Sequence, residues 1–497
     1  MRLLFIALGL AFALSSAAQP VSPPQLRAAL EELNAFLAIP NFGLNRPDVD
    51  RNLAWLDRAF QQRGFQTQTL ATAGNPLFFA EWAVHPQHPT VLFYMHLDGQ
   101  AVDAAKWDQA NPYRAVVKKR TPDGTWTPID TSEWTQLDPE WRVFARSASD
   151  DKGPIVAFLH AVDALRRTGQ TPAFNVKVIL DAEEELGSRP LAAAVERHRD
   201  LLRADALLIH DGPVHLSGKP SLMFGCRGIT TLNLTVYGPG TPQHSGHYGN
   251  YAPNPVFRLA RLLASMKDEA GRVTVPGYYD GIDLDSATRR VLSAVPDDTT
   301  QLMRTLQINR PERVGANYQE ALQYPSLNAR GIRAAYVGAR ARTVVPDVAT
   351  VALDLRLVPE SEPAQLVAAI RRHVAAQGYY LVDREPTPEE RLAHPKICFL
   401  SQGSVTRPFR TDLDAPIGTW MGRVIETEFG SPPVRVRIMG GTVPIAGFIN
   451  ALDVPALVVP VVNADNNQHS PNENLRLGNL AYGMRLFEQI LTAEPDF

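Results

Sequence analysis

The sequence predicts an α/β fold: a mainly parallel sheet flanked by helices, with a smaller α+β domain inserted into it. Three observations carry this. Apolar strands alternate with helices over residues 24–209, the pattern of a parallel sheet with helices on its faces. Near residue 225 the strands become one-sided, as in 229–237 (ITTLNLTVY), which marks a sheet with one face covered. Beyond residue 388 the first pattern resumes, so the predicted division is 19–222, 223–388 and 389–497, after a leader over 1–18.

The elements follow in order. Leu26, Leu30, Leu33 and Leu37 recur at helical spacing and predict a helix over 24–39. A second helix, 52–63, is closed by Gly64. Strands are expected at 77–84 and 90–95, the latter an apolar run (VLFYM) ending in polar residues. Residues 100–145 read as loop, with Trp107, Trp126, Trp134 and Trp141; they either rim a pocket or pack on the domain surface. A helix over 153–168, a strand over 176–180, a helix over 188–202 and a strand over 204–209 complete the first part. The inserted domain has a strand at 229–237, a helix at 254–267, a strand at 348–358, a helix at 362–377 and a strand at 379–383; residues 269–325 receive no place. The last part has a helix at 414–429, strands at 434–438 and 456–461, and a final helix at 474–491.

Composition narrows the function. The chain has 497 residues and a formal net charge of -3, with 20% charged and 45% hydrophobic residues. That is an ordinary soluble balance, and it lacks the basic excess a nucleic-acid-binding protein needs. Cys226 and Cys398 are too few for a disulfide framework or a cysteine-rich zinc module, although an exported chain allows them to pair. Residues 1–18 (MRLLFIALGLAFALSSAA) combine one Arg, a short apolar run and small residues at Ser16 and Ala18. They read as a secretory signal cut after Ala18; the run is too short to span a bilayer comfortably. A periplasmic or secreted protein with no membrane span after cleavage is expected.

Acidic and imidazole groups gather where strands end. His96 and Asp98 follow VLFYM, Glu183, Glu184 and Glu185 follow VILDA, Asp211 follows ALLIH, and His469 follows ALVVPVVN; Asp150 and Asp151 precede a helix. Strand carboxyl ends of an open α/β sheet converge on one crevice. Imidazoles and carboxylates without thiolates suit divalent zinc. Two such ions about 3.5–4 Å apart need a shared carboxylate, and an Asp at a tight turn can bridge them. A further Glu that is not a ligand is needed to accept a proton from the attacking water. Taken singly, each group has a plain reading: a capped loop pair for His96 and Asp98, a helix cap for Asp150–Asp151, a solvated helix start for the triple Glu, and a turn for Asp211-Gly212.

Taken jointly, the residues resemble the di-zinc exopeptidase family that includes glutamate carboxypeptidase, carnosinase-type dipeptidases, aminoacylase, acetylornithine deacetylase and succinyl-diaminopimelate desuccinylase. The matching segments are His96-Leu-Asp98, Ser149-Asp150-Asp151-Lys152-Gly153, Glu184-Glu185-Leu-Gly187-Ser188, Asp211-Gly212, His244-Ser245-Gly246 and His469-Ser470 with Asn472-Glu473. The resemblance implies two divalent metal ions, zinc first and cobalt or manganese as alternatives. It implies that Asp150 bridges them, that one takes His96 and Asp211, and that the other takes Glu185 and His469. It makes Asp98 the partner that orients His96 and Glu184 the general base, with Glu183 a supporting carboxylate. It implies a cis peptide between Asp150 and Asp151.

The same resemblance makes the inserted domain a lid that also forms a homodimer, with His244 reaching the partner's site to stabilise the oxyanion; His247 is the alternative. Thr343 and Arg356, in TVVP and LRLVP, match residues that hold the substrate, and a guanidinium suits a C-terminal carboxylate. Gly440-Gly441-Thr442-Val443-Pro444 resembles a substrate-contacting loop, which brings in Gly441 and Thr442. Met439 stands where carnosinase-type members often have Glu. The implied activity is hydrolysis of a dipeptide or short peptide with a free C-terminal carboxylate. Deacylation of an N-acyl amino acid is the alternative on the same site, and a metal-free binding protein is the non-enzymatic one. A single-domain aminopeptidase has similar ligands but no lid, against the long stretch between Asp211 and His469.

Overall fold

A computed structural model describes residues 21–497; the signal peptide read at 1–18 lies outside the described residues. The larger sheet has the strand order Gln66–Leu70, Leu77–Trp82, Asn175–Asp181, Thr90–His96, Ala206–Ile209, Ala456–Val458, Ser221–Met223, Val434–Val436. Its four central strands, from Asn175–Asp181 to Ala456–Val458, all run parallel. They are largely apolar and buried on both faces, because helices cover each side. The helix Lys152–Arg167 is buried almost all round, between Pro23–Leu37 and the final helix Leu477–Thr492. Phe60, Phe78, Phe93, Phe158 and Phe487 interlock beneath it with tilted and edge-on rings.

The second sheet has the order Ser326–Arg333, Val348–Leu357, Gly228–Tyr237, Ile397–Thr406, Tyr380–Val382. Its strands alternate buried and half-buried residues, and one face packs on Pro255–Ala264 and Pro363–Ala376. This sheet takes in Ile397–Thr406, which pairs along Gly228–Tyr237, beyond the boundary drawn at 388 from the sequence. The chain enters this domain through Gly225–Cys226 and leaves through Phe409–Arg410, and these two crossings pair with each other.

Several local expectations change. The helix expected at 188–202 starts later and divides into helices Leu191–Arg197 and Arg199–Leu202; Pro190, which has no N–H to donate within a helix, stands at its start. The final helix begins at Leu477, because Asn474–Arg476 pairs as a strand with Arg142–Phe144. The stretch read as loop at 100–145 carries Val116–Arg120, Trp126–Pro128 and Arg142–Phe144, which form a small antiparallel sheet with Asn474–Arg476. Trp107 and Trp134 are buried there. Residues 269–325 contain the helices Ser286–Ala294, Thr299–Leu306 and Tyr318–Leu322. Cys226 and Cys398 are both buried and unpaired.

Candidate active site

The strand order builds the site. Asn175–Asp181, Thr90–His96, Ala206–Ile209 and Ala456–Val458 are neighbours with one direction, so their carboxyl ends share an edge. His96 is the last residue of its strand, Glu184 and Glu185 sit in the turn after Asp181, and Asp211 follows Ile209. His469 comes from the loop beyond Ala456–Val458. Asp150 arrives differently, at the amino end of the helix Lys152–Arg167. That helix approaches closely because Gly153 has no side chain: a Cβ there would meet the Ala148 carbonyl at 2.3 Å.

The side chains converge on Asp150. Its Oδ1 lies 2.9 Å from His96 Nε2, and its Oδ2 lies 3.1 Å from His469 Nε2. His469 Nε2 is also 3.2 Å from Glu185 Oε2. Two triplets, His96–Asp150–Asp211 and Asp150–Glu185–His469, each gather their ligand atoms within 4.8 Å and share Asp150. The Asp150–Asp151 peptide is cis. Asp98 stands 3.4 Å from His96 Nδ1 and accepts the backbone N–H groups of Glu184 and Glu185, both at 3.1 Å. Glu183 turns away and accepts the N–H of Asn75 at 2.7 Å.

This cluster carries more negative charge than its imidazoles balance. Among the described residues, no Lys or Arg pairs with Asp150, Glu185 or Asp211. Burial raises the Asp211 carboxyl to about 6. Burial and then the neighbouring Asp211 push Glu184 well above the ordinary carboxylate range. Hydrogen bonds to Asp150 and Glu185 raise the His469 imidazole to about 10. Nitrogen and oxygen donors around a shared carboxylate, with unneutralised charge, fit two divalent cations.

Residues without an assigned role in the sequence complete the frame. Glu473 is fully buried; its Oε1 accepts the N–H groups of Ser149 and Asp150 at 3.0 Å, and its Oε2 accepts from Ser147 N–H and, at 2.6 Å, from Arg146. It therefore holds the backbone that presents Asp150. The signal in the sequence was an acidic residue just past His469, without a partner to explain it. Gln100 donates to Glu185 Oε2 at 2.7 Å. Asp108 N–H donates to Asn472 at 3.0 Å. The early part of the Trp-containing stretch thus rims the site, while Trp107 and Trp134 pack inward.

The remaining sequence-derived residues fall into two pairs. Arg356 Nη1 donates to Thr442 Oγ1 at 2.6 Å, which joins the smaller domain to the 440–444 loop; Gly441 lies beside this contact. His244 and Thr343 meet at a separate two-stranded pairing, where Gln243–His244 pairs with Val344–Val345 and Ser245 N–H donates to the Thr343 carbonyl at 3.0 Å. His244 bonds locally: its Nδ1 accepts the Gly246 N–H at 3.1 Å. His247 stacks obliquely on His244, with ring centroids 4.8 Å apart.

Known proteins place this arrangement. The chain is 27% identical over 483 residues to the Beta-Ala-His dipeptidase of Mus musculus, covering 95% of this chain and 89% of that protein. It is 26% identical over 427 residues to the Cys-Gly metallodipeptidase dug1 of Schizosaccharomyces pombe, covering 83% and 81%. The crystal structure of the M20 family metallo-carboxypeptidase Sso-CP2 from Sulfolobus solfataricus superposes with a TM-score of 0.75 at 25% identity, over 94% of this chain and 99% of that one. Human carnosine dipeptidase 1 shares the fold, with a TM-score of 0.71 at 24% identity over 95% and 98%. A family profile described as Peptidase family M20/M25/M40 matches residues 92–493. The profile covers most of the chain, and the chain is a metallopeptidase belonging to Peptidase family M20/M25/M40.

Proposed function

We propose that the chain is an exported dipeptidase that hydrolyses the amide bond of a dipeptide or short peptide with a free C-terminal carboxylate. The observation that carries this reading is the Asp150-centred cluster in a chain whose Arg356–Thr442 contact offers a guanidinium for an anionic end. The dipeptidase names of the mouse and fission-yeast relatives support it. His96, Asp150 and Asp211 would hold one divalent ion, and Asp150, Glu185 and His469 the other, with zinc as the first choice. Such ions, when bound, polarise the scissile carbonyl and make water a stronger acid.

The protein's own groups then act in sequence. Glu184 accepts a proton from the attacking water as the new C–O bond forms, and delivers it to the leaving nitrogen as the C–N bond breaks. Asp98 holds His96 and the Glu184–Glu185 turn in register. Arg356 and Thr442 receive the C-terminal carboxylate beside Gly441.

His244 and Thr343 complete the site from the lid of a second copy, where His244 donates to the developing oxyanion. The outer edge of Ser326–Arg333 is unpaired among the described residues, and Ile332, Tyr336 and Val337 beside it are exposed. An exposed strand edge with apolar neighbours favours pairing with a second copy. The leader over 1–18 directs export; among the described residues no helix is long and apolar enough to cross a membrane.

The test is metal content of the purified protein, with hydrolysis of dipeptides and of N-acetyl amino acids measured before and after chelation. About two ions per chain, dipeptide turnover lost on chelation and zinc rescue are expected. Preferential turnover of N-acetyl amino acids would replace the dipeptidase reading with deacylation.

A further inference from the structure

Arg227 is a buried cation that the proposed mechanism leaves unused. It is 7% exposed, and among the described residues no carboxylate pairs with it. Its Nη2 donates to the Tyr324 carbonyl at 2.7 Å, while its Nε has no hydrogen-bond partner. Its backbone N–H donates to the carbonyls of Met439 and Gly441, both at 3.2 Å. Arg356 grips the next residue of the same loop through Thr442, and it too has no carboxylate partner among the described residues. Arg227 through its backbone and Arg356 through its guanidinium therefore both attend the 439–442 segment, and Arg356 is paired across the sheet with Ile229, two residues from Arg227. Burial, and then the Arg356 charge, lower Arg227 to about 10.

Two neighbouring guanidinium groups without an ion-paired acid repel each other, and burial makes an unpaired charge expensive. An arriving carboxylate relieves both effects. Asp354 on the adjoining strand accepts from Asn328 at 2.9 Å and, among the described residues, forms no ion pair with either guanidinium. The Tyr324 carbonyl comes from the stretch 269–325, which received no role from the sequence. It follows Tyr318–Leu322, whose Tyr318 and Leu322 side chains face Gly440.

We infer that Arg227 is a positioning residue and second cation of the subsite that receives the substrate's terminal carboxylate, standing behind Arg356 and the 439–442 loop. The inference rests on the reading that the substrate ends in a free carboxylate. Arg227 holds the loop through its backbone, ties it to residue 324 through its fork, and adds positive charge where the carboxylate docks.

The experiment compares each dipeptide acid with its C-terminal amide, on wild-type protein and on Arg227→Met and Arg227→Lys, with metal content measured alongside. Arg227→Met is expected to raise KM for the acid about tenfold to a hundredfold while changing kcat and the amide little. Arg227→Lys, which keeps the charge, restores part of the preference. Equal losses on acid and amide, or an unchanged acid-to-amide ratio, would overturn the inference. If Arg227→Met does not fold, Arg227→Gln repeats the comparison with two donors and no charge. A wild-type protein that hydrolyses acid and amide equally well would instead overturn the free-carboxylate reading itself.

Discussion

Two clusters in this chain have the same ligand types. One joins His96, Asp150, Asp211, Glu185 and His469; the other joins Glu32, His160 and Asp163, with ligand atoms again within 4.8 Å of one another. The difference is Arg63. Its Nη2 donates to Glu32 at 2.8 Å and Asp163 at 2.7 Å, its Nη1 to Glu32 at 3.2 Å and the Ala59 carbonyl at 3.1 Å, and its Nε–H is shared between Asp163 at 3.0 Å and the Leu159 carbonyl at 3.1 Å. The helix cluster thus contains its own cation, with the fork fully satisfied. The strand-end cluster has none from the described residues. Proximity of carboxylates and imidazoles therefore does not distinguish the two clusters; the internal cation does.

The sharpest way to break this comparison is to remove one carboxylate from each cluster. Asp150→Asn should strip the chain of metal and lower turnover by more than about ten-thousandfold, because both ions lose their shared ligand. Asp163→Asn should leave metal content and turnover unchanged. Glu184→Gln separates ligand from base within the first cluster: metal is retained, and kcat falls by about a hundredfold to ten-thousandfold. Inductively coupled plasma analysis with steady-state kinetics reads all three. Loss of metal from Asp163→Asn would make the helix cluster a second metal site and sink the distinction.

How legible each cluster was in the sequence follows from the same physics. The strand-end residues were visible because apolar runs such as VLFYM end at His96, and parallel strands must share an edge. Glu32, His160 and Asp163 were not, because their helical spacing reads as ordinary polar faces, and Arg63 reaches them from another helix. Glu473 was quoted in a motif but its task was hidden, since a carboxylate accepting backbone N–H groups has no spacing signature. The strand Ile397–Thr406 was missed because its second half is largely exposed and polar, so its pairing with Gly228–Tyr237 is a tertiary fact. Residues 269–325 lacked periodicity because their helices are short.

The Asp150-centred cluster is assembled within one chain, whereas His244 stands exposed on a separate two-stranded pairing. His244→Ala should therefore lower kcat by about a hundredfold to a thousandfold with metal content intact. If His244 acts from a second copy as proposed, mixing this variant with Glu184→Gln protein should restore part of the turnover, because a mixed dimer would contain one site with both groups. Absence of rescue in dimers shown to exchange subunits would place the action of His244 in its own chain.

Smaller effects test the other cluster. Arg63→Met should destabilise the fold by about 2–3 kcal/mol, below the full value for a buried pair because Glu32 and Asp163 are partly exposed. Turnover at temperatures well below unfolding should not change. Chemical denaturation reads the first and kinetics the second.

The smallest expected effect is the acid response of Glu32. Burial would raise its carboxyl, but hydrogen bonds from His160 and Arg63 outweigh this and lower it from 4.5 to about 2. A carboxyl depressed by folding stabilises the native state fully above its unfolded value, and the contribution disappears as pH falls through the folded value. Wild-type protein should therefore exceed Glu32→Gln in stability by about 1–2 kcal/mol at pH 6, after allowance for solvent screening. The gap should close between pH 4.5 and about 2. Urea unfolding of chelated protein across that range isolates the helix cluster from the metal centre. A gap that persists at pH 2 would mean that packing, rather than the charge on Glu32, accounts for it, and Arg63 would then be only a space-filling group.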